Sequence, residues 1–314
     1  MPSNAEIRQQ IAWELNRRSR LAVPAFAGGF LYLLSAIIIT STLNGLPTVG
    51  PLQGLAPVIA GEANPPVSPR TNEVKFISRH AFPLIAGSVL AAVAIGALTL
   101  ILLLLFSAAK FRRPTIWPPA RLLVLCGGVA VAVASIAHEV VYAIETHRFA
   151  VGHDFTRKAV DNALTKGTAN QIVAYLSLLA GLALVVGMIV VLLNALRTGL
   201  VPRWMGILGM FSGLLILLPN VGATLQLIPA FWLVMMGILL SGRWMGGDPP
   251  AWEAGEARPW PSRAQMQAER RAKAKGEPVP VPAAAGIGDV PPAPRPQQAG
   301  TSRKRRRKGG TARG

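Results

Sequence analysis

The sequence predicts an all-α polytopic membrane protein with six transmembrane helices followed by a disordered tail. Three observations carry this. Of 314 residues, 51% are hydrophobic and only 15% are charged, against about 25% charged in ordinary soluble domains. The mean hydropathy is +0.42. The charges are not spread evenly, but sit at the ends and between long apolar runs. An ordinary water-soluble enzyme is excluded on these grounds. So is a small disulfide-rich secreted domain, because Cys126 is the only cysteine and cannot form an internal bridge.

Three segments are expected: an N-terminal segment 1–20, a membrane domain 21–243 and a tail 244–314. A helix needs about 20 apolar residues to cross a hydrocarbon core about 30 Å thick, at about 1.5 Å per residue. Runs of that kind lie at about 21–42, 82–107, 122–144, 168–196, 201–218 and 221–242. Pro24 stands in the first turn of the first run, where a missing N–H is tolerated. An uncleaved span is preferred there to a signal peptide. Its apolar part exceeds the usual 7–15 residues and no clear A-x-A site follows. The last two runs share a charge-free stretch of 39 residues, Trp204–Gly242. One helix of that length would be nearly twice the bilayer thickness. The stretch Leu218-Pro219-Asn220-Val221-Gly222 holds a helix breaker and turn formers, so a tight hairpin is expected.

The net charge of +18 first suggests nucleic acid, but its distribution argues against that partner. Most of it flanks the apolar runs or lies in the tail, where orientation signals belong. Six spans put both ends on one side. That side carries 25 Lys and Arg against 7 on the other, or 10 against 7 without the tail. The positive-inside rule then places both termini in the cytoplasm. Trp117, Trp204 and Trp244 stand near Arg121, Arg203 and Arg243, as interfacial indoles do.

One polar constellation stands out. The third run ends in HEVVYAIETHRF, so His138, Tyr142 and Glu145 share a helical face, with Glu139 beside it and His147 beyond. Counted from Leu122, Glu139 lies about 26 Å along the helix, near the outer interface. The plainest reading is a polar helix end whose side chains reach water. The second is a proton or solute path with Glu139 and His138 as titrating groups. The third is a haem or metal site in which His138 joins His147 or His80. Tyr142 replaces the second histidine of an H-E-x-x-H motif, which excludes a zincin. No phosphate-binding glycine loop precedes a lysine and no G-x-S-x-G elbow occurs, so no catalytic residue and no cofactor are assigned. Cys126, in an apolar context, reads as a buried small hydrophobe.

Gly206, Gly209 and Gly213 lie in the fifth run, and the last two form a GxxxG pair on one face. Small residues there let a neighbouring backbone approach, within the bundle or in a homo-oligomer. Residues 43–81 form the longest outer loop, and its apolar LQGLAPVIA patch suits the membrane surface. TNEVKFISRH is expected to open the second span, with Thr71 or Asn72 near its cap. From Trp244 onward there are 11 prolines in 71 residues, a composition that cannot build a core. The tail ends in the basic run Arg303, Lys304, Arg305, Arg306, Arg307 and Lys308, which would attract anionic lipid headgroups.

Residues 194–220, NALRTGLVPRWMGILGMFSGLLILLPN, resemble a large group of uncharacterised bacterial multi-pass membrane proteins. The specific part is the turn Gly199, Leu200, Val201, Pro202, Arg203 and Trp204. The Ala, Gly, Pro and Arg content is similar to actinobacterial proteins. The resemblance implies a six-helix domain of the bacterial plasma membrane and carries over no catalytic residues. The turn also has a physical reading. Gly199 permits the reversal, Pro202 starts a helix, Arg197 and Arg203 anchor two helix ends, and Trp204 fixes the depth.

The first functional reading is an integral membrane protein with a structural or regulatory role and no enzymatic signature. The alternatives are a small-solute or proton-coupled transporter using the polar end of the third span, and a membrane haem- or metal-binding redox protein.

Overall fold

The computed structural model describes residues 3–260 apart from 48, 51–58, 60, 62–66, 153, 218–221 and 246, with backbone alone at 222 and 223. The chain divides into two units, Met1–Trp260 and Pro261–Gly314. The second lies outside the described residues, and so does its basic run Arg303–Lys308. Most of the LQGLAPVIA patch and the turn at 218–221 also lie outside them.

The first unit is all-α. In chain order its described helices are α1 (Asn4–Leu43), α2 (Thr71–Arg79), α3 (Ala81–Arg112), α4 (Ala120–Val151), α5 (Arg157–Asp161), α6 (Thr168–Thr198), α7 (Arg203–Leu217), α8 (Gly222–Leu240) and α9 (Pro250–Ala254). A π-helical turn, Asn162–Lys166, lies between α5 and α6.

Among the described residues four helical stretches are long and apolar enough to cross a membrane: Asn4–Leu43, Ala81–Arg112, Ala120–Val151 and Arg157–Thr198. The expectation of six spans is corrected to four. The 39-residue charge-free stretch is the reason. It is divided into α7, with 15 residues, and α8, with 19, and neither is among the four long apolar stretches. At about 1.5 Å per residue α7 covers about 22 Å, well short of the core. Both are shorter apolar helices built into the bundle: α7 packs on α6, α8 on α1, and the two on each other.

The helices begin and end for local reasons. Ser3 caps α1 through a capping box: its hydroxyl accepts from the Glu6 N–H at 3.3 Å, and its own N–H donates to the Glu6 carboxylate at 2.7 Å. α1 then runs unbroken for 40 residues through Pro24, about 60 Å, or twice the hydrocarbon thickness. α6 ends at Gly199, whose φ of 79° only glycine adopts freely, and the Leu200 N–H closes the cap on the Ala195 carbonyl at 2.9 Å. TNEVKFISR does not open the second span. It forms α2 as a separate helix, with Arg70 rather than Thr71 or Asn72 at its cap position.

α1 lies between α3 and α8; α4 packs on α3 and α6, and α3 also meets α6. The larger core cluster runs from Leu98 and Leu105 of α3 through Leu184, Met188 and Leu192 of α6 to Trp232 and Met236 of α8. A second cluster at the other end joins Val74 and Ile77 of α2 to Phe149 of α4, Val160 and Leu164. Large apolar side chains such as Val133, Leu179 and Ile207 remain exposed on the outer faces. The chain is a membrane-embedded protein, and those faces meet lipid, where every backbone group must already be satisfied within a helix.

Candidate functional site

Of the polar residues near the end of α4, His138 and Tyr142 lie together. His138 is exposed and Glu139 half-buried. The His138 ring lies near-parallel to Tyr142, with centroids 6.0 Å apart, and Tyr142 packs on the smaller core cluster. Glu145 pairs with Arg148 at 3.2 Å, one turn on and largely exposed. His147 is exposed. His80 sits elsewhere, stacked on Phe76 with centroids 4.0 Å apart, its Nδ1 2.8 Å from the Phe76 carbonyl. Among the described residues no group of three or more His, Cys, Asp or Glu side chains could hold a metal ion. Cys126, read as a buried residue, is exposed on α4.

Just beyond α4, the Asp154 carboxylate accepts from the Thr156 N–H at 3.0 Å. Hydrogen bonds from the Thr156 hydroxyl and backbone hold its pKa below the ordinary aspartate value. Arg70 is gripped by Glu73 at 2.7 and 2.8 Å, which raises its pKa further.

The glycines Gly206, Gly209 and Gly213 line the face of α7 that meets α6. A Cβ at Gly206 would collide with Leu196. At Gly209 it would stand 2.6 Å from Trp232 Nε1 and 2.7 Å from Leu192, and at Gly213 3.1 Å from Met188 Sδ. Leu196, Leu192 and Met188 are spaced four apart on α6, so they form one ridge against the glycine face. Trp232 crosses from α8 to donate to the Met205 carbonyl at 2.9 Å.

The densest polar chemistry lies at the opposite end of the bundle from α2. Glu14 on α1 and Arg112 at the end of α3 form a two-pronged ion pair, with both bonds at 2.7 Å. Their side chains are 1% and 0% exposed. Gln10 donates a further bond to Glu14 at 2.8 Å. Arg112 also donates to the Ala108 carbonyl at 2.9 Å and to the Ala251 carbonyl at 2.8 Å, which satisfies the guanidinium as a buried charge requires. One turn along α1, Arg18 reaches Asp248 at 3.0 Å and the Leu239 carbonyl at 2.9 Å.

Between these two arginines lies Trp252 of α9. The Arg18 guanidinium stands 4.6 Å from its ring centre and that of Arg112 5.7 Å, within the range of a cation–π contact. Its indole N–H donates to the Leu200 carbonyl at 2.9 Å, and the side chain is 2% exposed. The strand of chain beyond α9 is tied down too. The Arg258 N–H donates to the Thr198 carbonyl at 3.1 Å, and Arg203 donates to the Trp260 carbonyl at 3.1 Å. Trp204 and Trp244 stack nearby, 5.9 Å apart. Residues 248–260, which composition alone groups with the tail, thus fold back across the ends of α1, α3 and α6.

None of Glu14, Arg18, Arg112, Asp248 and Trp252 was singled out from the sequence as a site residue. The signal available there is slight: two acidic residues close to arginines, and one tryptophan in a Pro-rich stretch. The chain is a polytopic membrane protein with several apolar helices. No family model, no curated protein and no solved structure matches it.

Proposed function

We propose that this is a structural or regulatory protein of the bacterial plasma membrane, which uses its helical bundle to hold the start of α1 and the segment after α8 together at the cytoplasmic face. The observation that carries the reading is the clamp of Glu14, Arg112, Arg18 and Asp248 around Trp252. The buried charges of Glu14, Arg112 and Arg18 pair with groups of the chain itself and so join its segments to one another. The cytoplasmic placement rests on the excess of Lys and Arg at this end. The basic run Arg303–Lys308 then acts as an electrostatic contact for anionic headgroups. A homo-oligomer is compatible with this role.

Protease treatment of the protein in nanodiscs tests it, alongside proton-flux assays in proteoliposomes. Residues 244–260 should resist cleavage in the wild type and become sensitive in Trp252→Ala. No proton flux should depend on Glu139. A flux abolished by Glu139→Gln would overturn the structural reading in favour of transport.

A further inference from the structure

At the clamp end of the bundle, a groove of about 750 Å³ opens between α1, α3 and the start of α4. We infer that it binds the headgroup of an anionic phospholipid drawn from the surrounding bilayer. This goes beyond the proposed role of the basic tail and does not rest on it.

The argument starts from two residues of one helix. Lys110 and Arg112 are both in the last turn of α3. Arg112 turns inward and is fully paired with Glu14. Lys110 is exposed, lines the groove, and stands 5.9 Å above the ring of the buried Phe106. Arg121, in the first turn of α4, lines the same groove. Among the described residues, neither Lys110 nor Arg121 has a carboxylate partner within salt-bridge distance. The groove has one acidic residue, Glu6, whose carboxylate is already bound by the Ser3 N–H in the helix cap. The groove lining therefore carries two cations without an ion-pair partner against one capped carboxylate, an excess of positive charge, with a third cation close by, since Arg17 lies over the Trp13 ring at 5.5 Å.

Its walls are as informative as its charges. Trp13 and Phe111 line it beside Phe106, so a ligand needs an apolar portion next to its anionic group. Trp13 and Trp117 are both exposed here, as indoles at headgroup depth are. One turn from Arg121 on the same face of α4, Leu125 is exposed, which continues the apolar surface toward the membrane. A soluble phosphate would use the cations and leave the rings idle. A phospholipid uses both. The volume falls within the roughly 300–1,000 Å³ typical of small-molecule sites.

Native mass spectrometry of the full-length detergent-solubilised protein tests this, by titration with phosphatidylglycerol, phosphatidylcholine and inorganic phosphate. Phosphatidylglycerol should be retained in preference to phosphatidylcholine. Lys110→Ala and Arg121→Ala should each weaken retention about fivefold, as expected for one cation at a headgroup, and Lys110→Arg should restore it. In protein with Arg303–Lys308 replaced by alanine, Lys110→Ala and Arg121→Ala should still each weaken the phosphatidylglycerol retention that remains. Equal retention of the two lipids, indifference to Lys110→Ala and Arg121→Ala in folded protein, or displacement by millimolar phosphate would each overturn the proposal. Loss of retention in the tail variant alone would overturn it too and move the headgroup contact to the tail.

Discussion

Glu14 and Arg112 are 98 residues apart in sequence, yet meet through two 2.7 Å hydrogen bonds with neither side chain more than 1% exposed. Removing one partner leaves the other as a buried, unmatched charge, which costs about 3–5 kcal/mol. Glu14→Ala should therefore lower the thermal unfolding temperature sharply in detergent. Glu14→Met combined with Arg112→Met should recover most of that loss, because an apolar pair of similar volume avoids the desolvation penalty. If the double variant is no more stable than either single one, the pair is not an isolated coupled unit.

The same double variant should not restore everything. Arg112 also holds the Ala251 carbonyl, and methionine cannot donate there. Its residues 244–260 should become accessible to protease even where overall stability has returned. Mapping the cleavage sites by mass spectrometry separates the two effects.

Trp252→Ala should cost about 3–5 kcal/mol, as large-to-small changes at buried aromatic positions do. Trp252→Phe keeps a ring between Arg18 and Arg112 but loses the bond to the Leu200 carbonyl, so its loss should be smaller. Unfolding measured by intrinsic fluorescence and circular dichroism would rank the three proteins. An equal loss in both variants would mean that the two cation–π contacts contribute nothing.

Gly209→Ala should destabilise by about 1–3 kcal/mol through overpacking against Trp232 and Leu192. Gly96 in α3 is the internal control, because a Cβ there meets nothing within 4 Å. Gly96→Ala should be neutral, or stabilising by about 0.5–1 kcal/mol, since alanine loses less freedom in a helix. A stable Gly209→Ala protein would show that α6 and α7 can move apart without loss.

Asp154 gives a pH signature outside the membrane. Its folded pKa lies below its ordinary value, so the Thr156 contacts stabilise the loop above the ordinary aspartate pKa. That contribution fades as the pH falls through the depressed folded value. Hydrogen exchange at the start of α5 should quicken as the solution becomes strongly acidic. In Asp154→Asn it should be pH-independent once intrinsic exchange rates are removed.

Purified protein should carry haem and metal well below one equivalent, with the same absorption spectrum in His138→Ala. The reason is geometric: His80 stacks on Phe76, while His138 lies beside Tyr142. A stoichiometric metal lost in the His138 variant would restore the redox reading.

The apolar helices were legible because hydrocarbon demands uninterrupted runs, and α1, α3, α4 and α6 each contain one. The spacing of Gly206, Gly209 and Gly213 within one helix puts them on one face, while the ridge of Leu196, Leu192 and Met188 that meets them comes from another helix. That neither α7 nor α8 stands among the long apolar stretches was not legible, since composition shows where charge is missing but not how much helix remains after a turn. The clamp was hidden for a different reason. Arg18 and Asp248 are 230 residues apart, and no periodicity links them. Trp252 sits in a Pro-rich context whose average argues for solvent, while its burial depends on two arginines supplied from distant helices.

The length of α1 has a mechanical consequence. A single helix carries both the membrane-facing residues and Glu14, with Pro24 between them. Proline is where a helix bends, because a backbone hydrogen bond is missing. Glu14 stands about 15 Å from that point, so a rotation of about 20° would swing it by roughly 5 Å. The 2.7 Å ion pair with Arg112 cannot follow such a swing. Any tilt of the membrane arm of α1 that bent the helix at Pro24 would therefore be felt at the grip on Trp252.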